Sequence, residues 1–139
     1  MQRPNIDFNE TYSSVMSGIT FQYLISLDVQ NRLSMKLMDV VTAYLYGSLD
    51  SDIYIYMRAN HNMYCVKLQK LLYGLKQSER MWYNRISEFL LQKGYTNNDD
   101  CPCVFIKKSQ TEFCIISMYV DDLNIISNPQ DINEACNHL

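Results

Sequence analysis

The sequence predicts an α+β fold, an antiparallel sheet backed by helices. Three observations carry this: apolar residues at helical spacing near the N-terminus, a second and clearer helical stretch over 77–93, and β-branched or aromatic runs before and after it. The 139 residues suffice for one domain, and 47% hydrophobic against 19% charged content describes a globular chain.

Residues 1–10 are polar, with Pro4 favouring extended backbone. Val15, Ile19, Tyr23 and Leu27 then recur at helical spacing, so roughly 12–32 reads as a helix capped by Thr11 or Ser13. Gly18 inside it costs about 1 kcal/mol relative to Ala. In the strand over 34–41, Met35, Leu37 and Asp39 share one face and Asp39 ends the apolar row. Thr42 to Leu49 carries a turn or short helix ending near Gly47.

Ile53 to Met57 and Met63 to Leu68 read as strands around a loop at 58–62, and Gly74 marks a bend in Leu71 to Leu75. Gln77 to Lys93 is a helix with Trp82, Ile86, Phe89 and Leu90 on one face, Ser78 as cap and Gly94 just past its end. Residues 96–102 form a polar loop containing Pro102. Val104–Ile106 and Phe113–Val120 are strands joined by a turn at 107–112, and Leu123–Ser127 is another. Asp121-Asp122 is the break between the last two, which makes 113–127 a hairpin with acids at its tip. The tail from Pro129 starts a helix.

Composition excludes several classes. Formal net charge is −3, which is no general basic footprint, yet residues 67–93 hold six Lys or Arg against two Glu. That segment is either a solvated face or a surface for phosphates. The longest apolar stretch near the C-terminus, 114–120, is too short to span a bilayer, and no secretory signal is visible at the N-terminus. Five cysteines, an odd number in a chain with a real core, argue for a reducing intracellular compartment rather than a disulfide framework. Cys101-Pro102-Cys103 has no Cys or His pair at zinc-finger spacing, and no glycine-rich phosphate loop is present.

Two adjacent aspartates after an apolar strand are costly unless hydrogen bonds or a cation offset them. Asp-Asp also suits a turn, and a strand-end aspartate such as Asp39 is commonly a cap. Together Asp39, Asp121 and Asp122 suit hard cations, which take oxygen ligands and fill their remaining positions with water and phosphates. Two such ions about 3.5–4 Å apart serve phosphoryl transfer.

Four blocks then stand in order: Ile6-Asp7-Phe8-Asn9-Glu10-Thr11-Tyr12-Ser13; Leu37-Met38-Asp39-Val40-Val41-Thr42-Ala43-Tyr44-Leu45-Tyr46-Gly47; Leu72-Tyr73-Gly74-Leu75-Lys76-Gln77-Ser78 running into Trp82-Tyr83; and Tyr119-Val120-Asp121-Asp122. In this pattern the chain resembles the reverse transcriptase of copia-type long-terminal-repeat retrotransposons over nearly its whole length. The resemblance implies an antiparallel polymerase palm sheet, with partial fingers and no thumb, as a single domain over 1–139. It implies RNA-directed DNA polymerase activity with Asp39, Asp121 and Asp122 as the catalytic carboxylates. Two Mg²⁺ ions, with Mn²⁺ as substitute, would be held by Asp39, Asp121 and the Val40 carbonyl. Tyr44 falls at the aromatic gate that excludes a 2′-hydroxyl, and Gln77 at the glutamine contacting the incoming nucleotide. Tyr119, Val120 and Lys76 would touch primer or template.

The implied partners are an RNA or DNA template with its primer, dNTPs, and, in a full-length element, ribonuclease H and integrase domains. The implied location is the cytoplasm, in a virus-like particle, without a membrane. The family usually has a longer segment between the two strands around 58–62, with a Pro-Glu-Gly-Phe element, and Pro after Ser13 where this chain has Ser14. Basic fingers strands, primer grip and thumb find no match, so the expectation is a palm-centred fragment inactive in isolation. The alternative is a non-catalytic remnant or nucleic-acid-binding module that keeps the palm fold.

Overall fold

A computed structural model of the chain describes residues 2, 11–49, 51–108 and 113–139. The block Ile6 to Glu10 and most of the turn at 107–112 lie outside the described residues. Contacts group the chain into two compact units, one of residues 1–13 and 42–85, the other of 14–41 and 86–139.

The second unit holds helix α1 (Gly18–Asn31), strands β1 (Ser34–Asp39), β4 (Thr96–Asn97), β5 (Val104–Lys108), β6 (Phe113–Tyr119) and β7 (Asp122–Ser127), and helix α3 (Pro129–His138). Its five strands form one antiparallel sheet in the order β1-β7-β6-β5-β4. β6 and β7 are the central strands, and their nearly unbroken apolar sequences are buried along almost their whole length. Register sets Ile106, Ile115, Ile126 and Met35 side by side across four strands. Met16, Leu24, Phe21 and Leu27 pack against that row. Phe105, Ile116 and Ile125 form the matching row on the opposite face, all fully buried.

α1 begins six residues later than the periodicity predicts. Ser17 is the cap, its hydroxyl accepting from the Thr20 N–H at 3.1 Å, so Gly18 sits at the first helical position rather than in the interior. Leu24 is the buried residue of the helix, while Ile19 and Tyr23 are 81% and 66% exposed. The predicted stripe advances by four residues per step, about 40° beyond a full turn, so Ile19 and Tyr23 lie off the face that Phe21, Leu24 and Leu27 present to the sheet.

α2 (Ser78–Gln92) begins in the first unit and ends in the second. Trp82, Ile86 and Leu90 are buried, as their spacing predicts. The helix ends as expected at Gly94, whose φ of 85° lets its N–H reach the Leu91 carbonyl and the Tyr95 N–H reach that of Leu90. Its start differs: the Ser78 hydroxyl donates to the Leu72 carbonyl at 2.7 Å instead of capping the helix.

In the first unit, the chain after Thr42 makes one 3-10 turn (Ala43–Tyr46) ending at Gly47. A Cβ at Gly47 would meet the Leu71 side chain and the backbone of Met81 and Trp82, so the close approach requires glycine. β2 (Tyr54–Ala59) and β3 (Asn62–Lys67) form a separate hairpin. The expected five-residue loop is instead a two-residue turn, because Asn60 and His61 both adopt positive φ (48° and 65°), as a type I′ turn requires.

Candidate active site

Asp39 and Asp122 of the second unit stand opposed at one end of its sheet, beside Asp121 in the adjoining loop. β1 pairs with β7 so that Asp39 lies directly opposite Asp122, and β6 pairs with β7 so that Tyr119 lies opposite Asp122 from the other side. Directly opposed residues project from the same face, with Cβ atoms about 4.5–5.5 Å apart. The sheet thus sets Asp39, Asp122 and Tyr119 in one row, as the expected pairing of the Asp39 strand with the 113–127 hairpin requires.

The turn itself corrects the sequence reading. Asp122 is the first residue of β7, and the two-residue loop is Val120-Asp121. Val120 has φ 57°, a left-handed conformation that is costly for a β-branched residue. The Val40 N–H donates to the Asp121 carbonyl at 3.0 Å, fastening the end of β1 to the loop. Backbone bonds thus bring Asp39, Val40, Tyr119, Val120, Asp121 and Asp122 together.

The donor set suits a hard cation, since every candidate ligand is an oxygen and two carboxylates face each other. Among the described residues, however, no three Asp, Glu, His or Cys side chains are grouped to hold a metal ion.

The remaining predicted site residues belong to the first unit. Tyr44 is 4% exposed and its ring lies 4.2 Å from that of Tyr73, tilted by 39°. Gln77 is fully buried, and its Oε1 accepts from the Gln2 amide at 2.9 Å, while Gln2 Oε1 accepts from the Lys76 N–H at 2.8 Å. Both side chains therefore sit in intramolecular contacts. The basic segment does not form one helix face. Lys67 lies on β3 bonded to Asp52 at 2.7 Å, and Arg80 and Arg85 on α2 project roughly 140° apart.

The described cysteines are free. Cys103 is buried, and desolvation, then the neighbouring Cys101 thiol, pushes its pKa up to about 11. Such a thiol is a poor nucleophile and metal ligand at neutral pH.

Sequence reasoning overlooked Ser117 and Asn124. They oppose each other on β6 and β7, one row in from the carboxylates, and are 0% and 4% exposed. Polar residues inside the apolar runs 113–120 and 123–127 were the available signal.

The family described as reverse transcriptase (RNA-dependent DNA polymerase) matches residues 1–138. The chain is 34% identical over 138 residues to the retrovirus-related Pol polyprotein from transposon TNT 1-94 of Nicotiana tabacum, covering 94% of this chain and 10% of that protein. It is 31% identical over 132 residues to the Pol polyprotein from transposon RE1 of Arabidopsis thaliana, covering 91% and 9%. To the transposon Ty1-DR4 Gag-Pol polyprotein of Saccharomyces cerevisiae it is 32% identical over 142 residues, covering 95% and 8%. The chain spans about a tenth of the length of these curated relatives. No solved structure matches it. It belongs to the reverse transcriptase family, among the copia-type retrotransposon Pol polyproteins. No helix among the described residues is long and apolar enough to cross a membrane.

Proposed function

We propose that this chain is the palm-centred part of a copia-type RNA-directed DNA polymerase, carrying part of the fingers and acting on a primed RNA or DNA template with dNTPs. The observation that carries the reading is the register that opposes Asp39 to Asp122 and fastens Asp121 to Val40. Opposed carboxylates repel, an arrangement that serves a site built to be neutralised by cations.

Asp39, Asp121 and the Val40 carbonyl are the groups that would hold two Mg²⁺, or Mn²⁺ in their place, with Asp122 supporting them. When bound, such ions favour the ionised primer 3′-hydroxyl and neutralise charge on the phosphates. Tyr119 and Val120, at the hairpin tip, would touch the primer end as its oxygen attacks the α-phosphate and pyrophosphate leaves. Tyr44 would exclude a ribose 2′-hydroxyl by bulk, and Gln77 and Lys76 would contact nucleotide or template. In this chain Tyr44 packs on Tyr73 and Gln77 bonds Gln2. Positioning dominates phosphoryl transfer, and we therefore infer that these 139 residues by themselves do not turn over.

The test exchanges the matching segment of the tobacco transposon's Pol protein for these 139 residues and measures Mg²⁺-dependent primer extension. Extension is expected in the chimera and lost in its Asp121→Asn variant. Extension that survives Asp121→Asn removes the carboxylate assignment. Robust extension by the 139 residues alone removes the inference of inactivity.

A further inference from the structure

On one face of the second unit's sheet, three cross-strand rows change character towards the hairpin tip. The first row, Ile106, Ile115, Ile126 and Met35, is apolar and packed against α1. The second is Val104, Ser117, Asn124 and Leu37, and the third is Tyr119, Asp122 and Asp39. Ser117 is fully buried, and its hydroxyl has no hydrogen-bond partner among the described residues. Asn124, directly opposite, is 4% exposed. Buried hydroxyls are costly unless satisfied, so an orphaned one beside a buried amide requires an explanation.

Geometry supplies one. Asn124 stands two residues from Asp122 on β7, about 6.5–7 Å away along the strand, and Ser117 is the diagonal neighbour of Asp122 across the ladder, about 7–8 Å away. The side chains span part of these distances, and one water molecule bridges a remaining gap of up to about 5.6 Å through two bonds of about 2.8 Å each. A buried water needs two to four polar partners, and hydroxyl, amide and carboxylate make three. We propose that Ser117 and Asn124 are positioning residues that hold an ordered water against the Asp122 carboxylate and fix its orientation towards the cation site.

The proposal rests on the polymerase reading, and the experiment separates the two. The chain and its Ser117→Ala, Ser117→Thr and Asn124→Leu variants are compared by denaturant midpoint and by Mn²⁺ dissociation constant from electron paramagnetic resonance. Ser117→Ala is expected to lower the midpoint and to weaken Mn²⁺ binding by roughly tenfold, the scale of outer-shell losses at metal sites. Ser117→Thr, which keeps the hydroxyl, restores both. An idle orphan predicts the opposite sign, because deleting it removes a desolvation cost. A Ser117→Ala midpoint at or above the parent's therefore overturns the proposal, as does an unchanged Mn²⁺ constant in both Ser117→Ala and Asn124→Leu. If Asn124→Leu fails to fold, the Ser117 pair decides. Absence of Mn²⁺ binding in the parent chain refutes the two-ion reading, and with it the cation-directed role, while the sign of the midpoint change still decides whether Ser117 holds a water.

Discussion

Replacing Asp39 by Asn tests the carboxylate row without disturbing the backbone that forms it. Asp39 and Asp122 are opposed in register, Asp39 exposed and Asp122 half-buried. Two unit charges about 5 Å apart repel by about 0.8 kcal/mol in bulk water and about 3 kcal/mol at an effective dielectric of 20. Solvent screening at this exposed edge favours the lower end, about 0.5–1 kcal/mol. Asn and Asp are similarly poor strand formers, so the substitution otherwise costs little. In EDTA at low salt, Asp39→Asn is therefore expected to raise the melting temperature by about 2–4 °C for a domain of this size. The increment should shrink at about 0.5 M salt, where the Debye length falls below the charge separation. In excess Mg²⁺ the order should reverse, because the parent gains the mass-action stabilisation of a ligand bound only by the folded state. The assay is thermal unfolding by circular dichroism in the three conditions. A variant that melts at or below the parent in EDTA at low salt would refute the repulsion argument.

Other features of the structure carry further expected outcomes. Gly47→Ala should destabilise the chain by about 1–3 kcal/mol in urea denaturation, because its Cβ meets the Leu71 side chain and the Met81–Trp82 backbone, whereas Gly18→Ala, with open space around it, should be neutral or stabilising. Val120→Gly should stabilise the fold by about 1 kcal/mol by relieving the positive φ, and unchanged or reduced stability would show that the hairpin tip is not strained. Cys103 should resist alkylation at pH 8 while exposed Cys65 reacts, as mass spectrometry of the labelled peptides would show. Because folding raises the Cys103 pKa from its ordinary 9 to about 11, stability from this group is complete below pH 9 and is lost as pH rises towards 11.

Long apolar runs and glycine-terminated periodicity were legible in the sequence. β6, β7 and the C-terminal end of α2 stand where Phe113–Val120, Leu123–Ser127 and Gly94 place them. Turns were less legible, for two physical reasons. Aspartate favours turns and valine favours strands, so local preference puts Asp121-Asp122 at the tip, yet the pairing of Asp39 with Asp122 shifts the loop back onto Val120. At Asn60-His61 no glycine announces the turn, and it closes only because both residues accept positive φ. β4, two polar residues at the sheet edge, carries no hydrophobic pattern to detect. Residue blocks that resemble a family carry no information about contacts, so the packing of Tyr44 on Tyr73 and the Gln77–Gln2 bond are not legible in them.

The acidic row is held in place by the backbone rather than by its own side chains. Six paired positions align β1 with β7, five align β7 with β6, and the Val40–Asp121 bond closes the corner. The opposite face of the same strands is anchored by Phe105, Ile116 and Ile125, none of which needs the carboxylates. Folding therefore places Asp39, Asp121 and Asp122 at one end of the sheet against their mutual repulsion, and the apolar rows supply the stability that permits it. A site assembled in this way can lose any one carboxylate and remain folded. On the proposed reading, substitutions at Asp39 or Asp121 should consequently separate chemistry from structure, whereas substitutions at Ile116 or Phe105 should not.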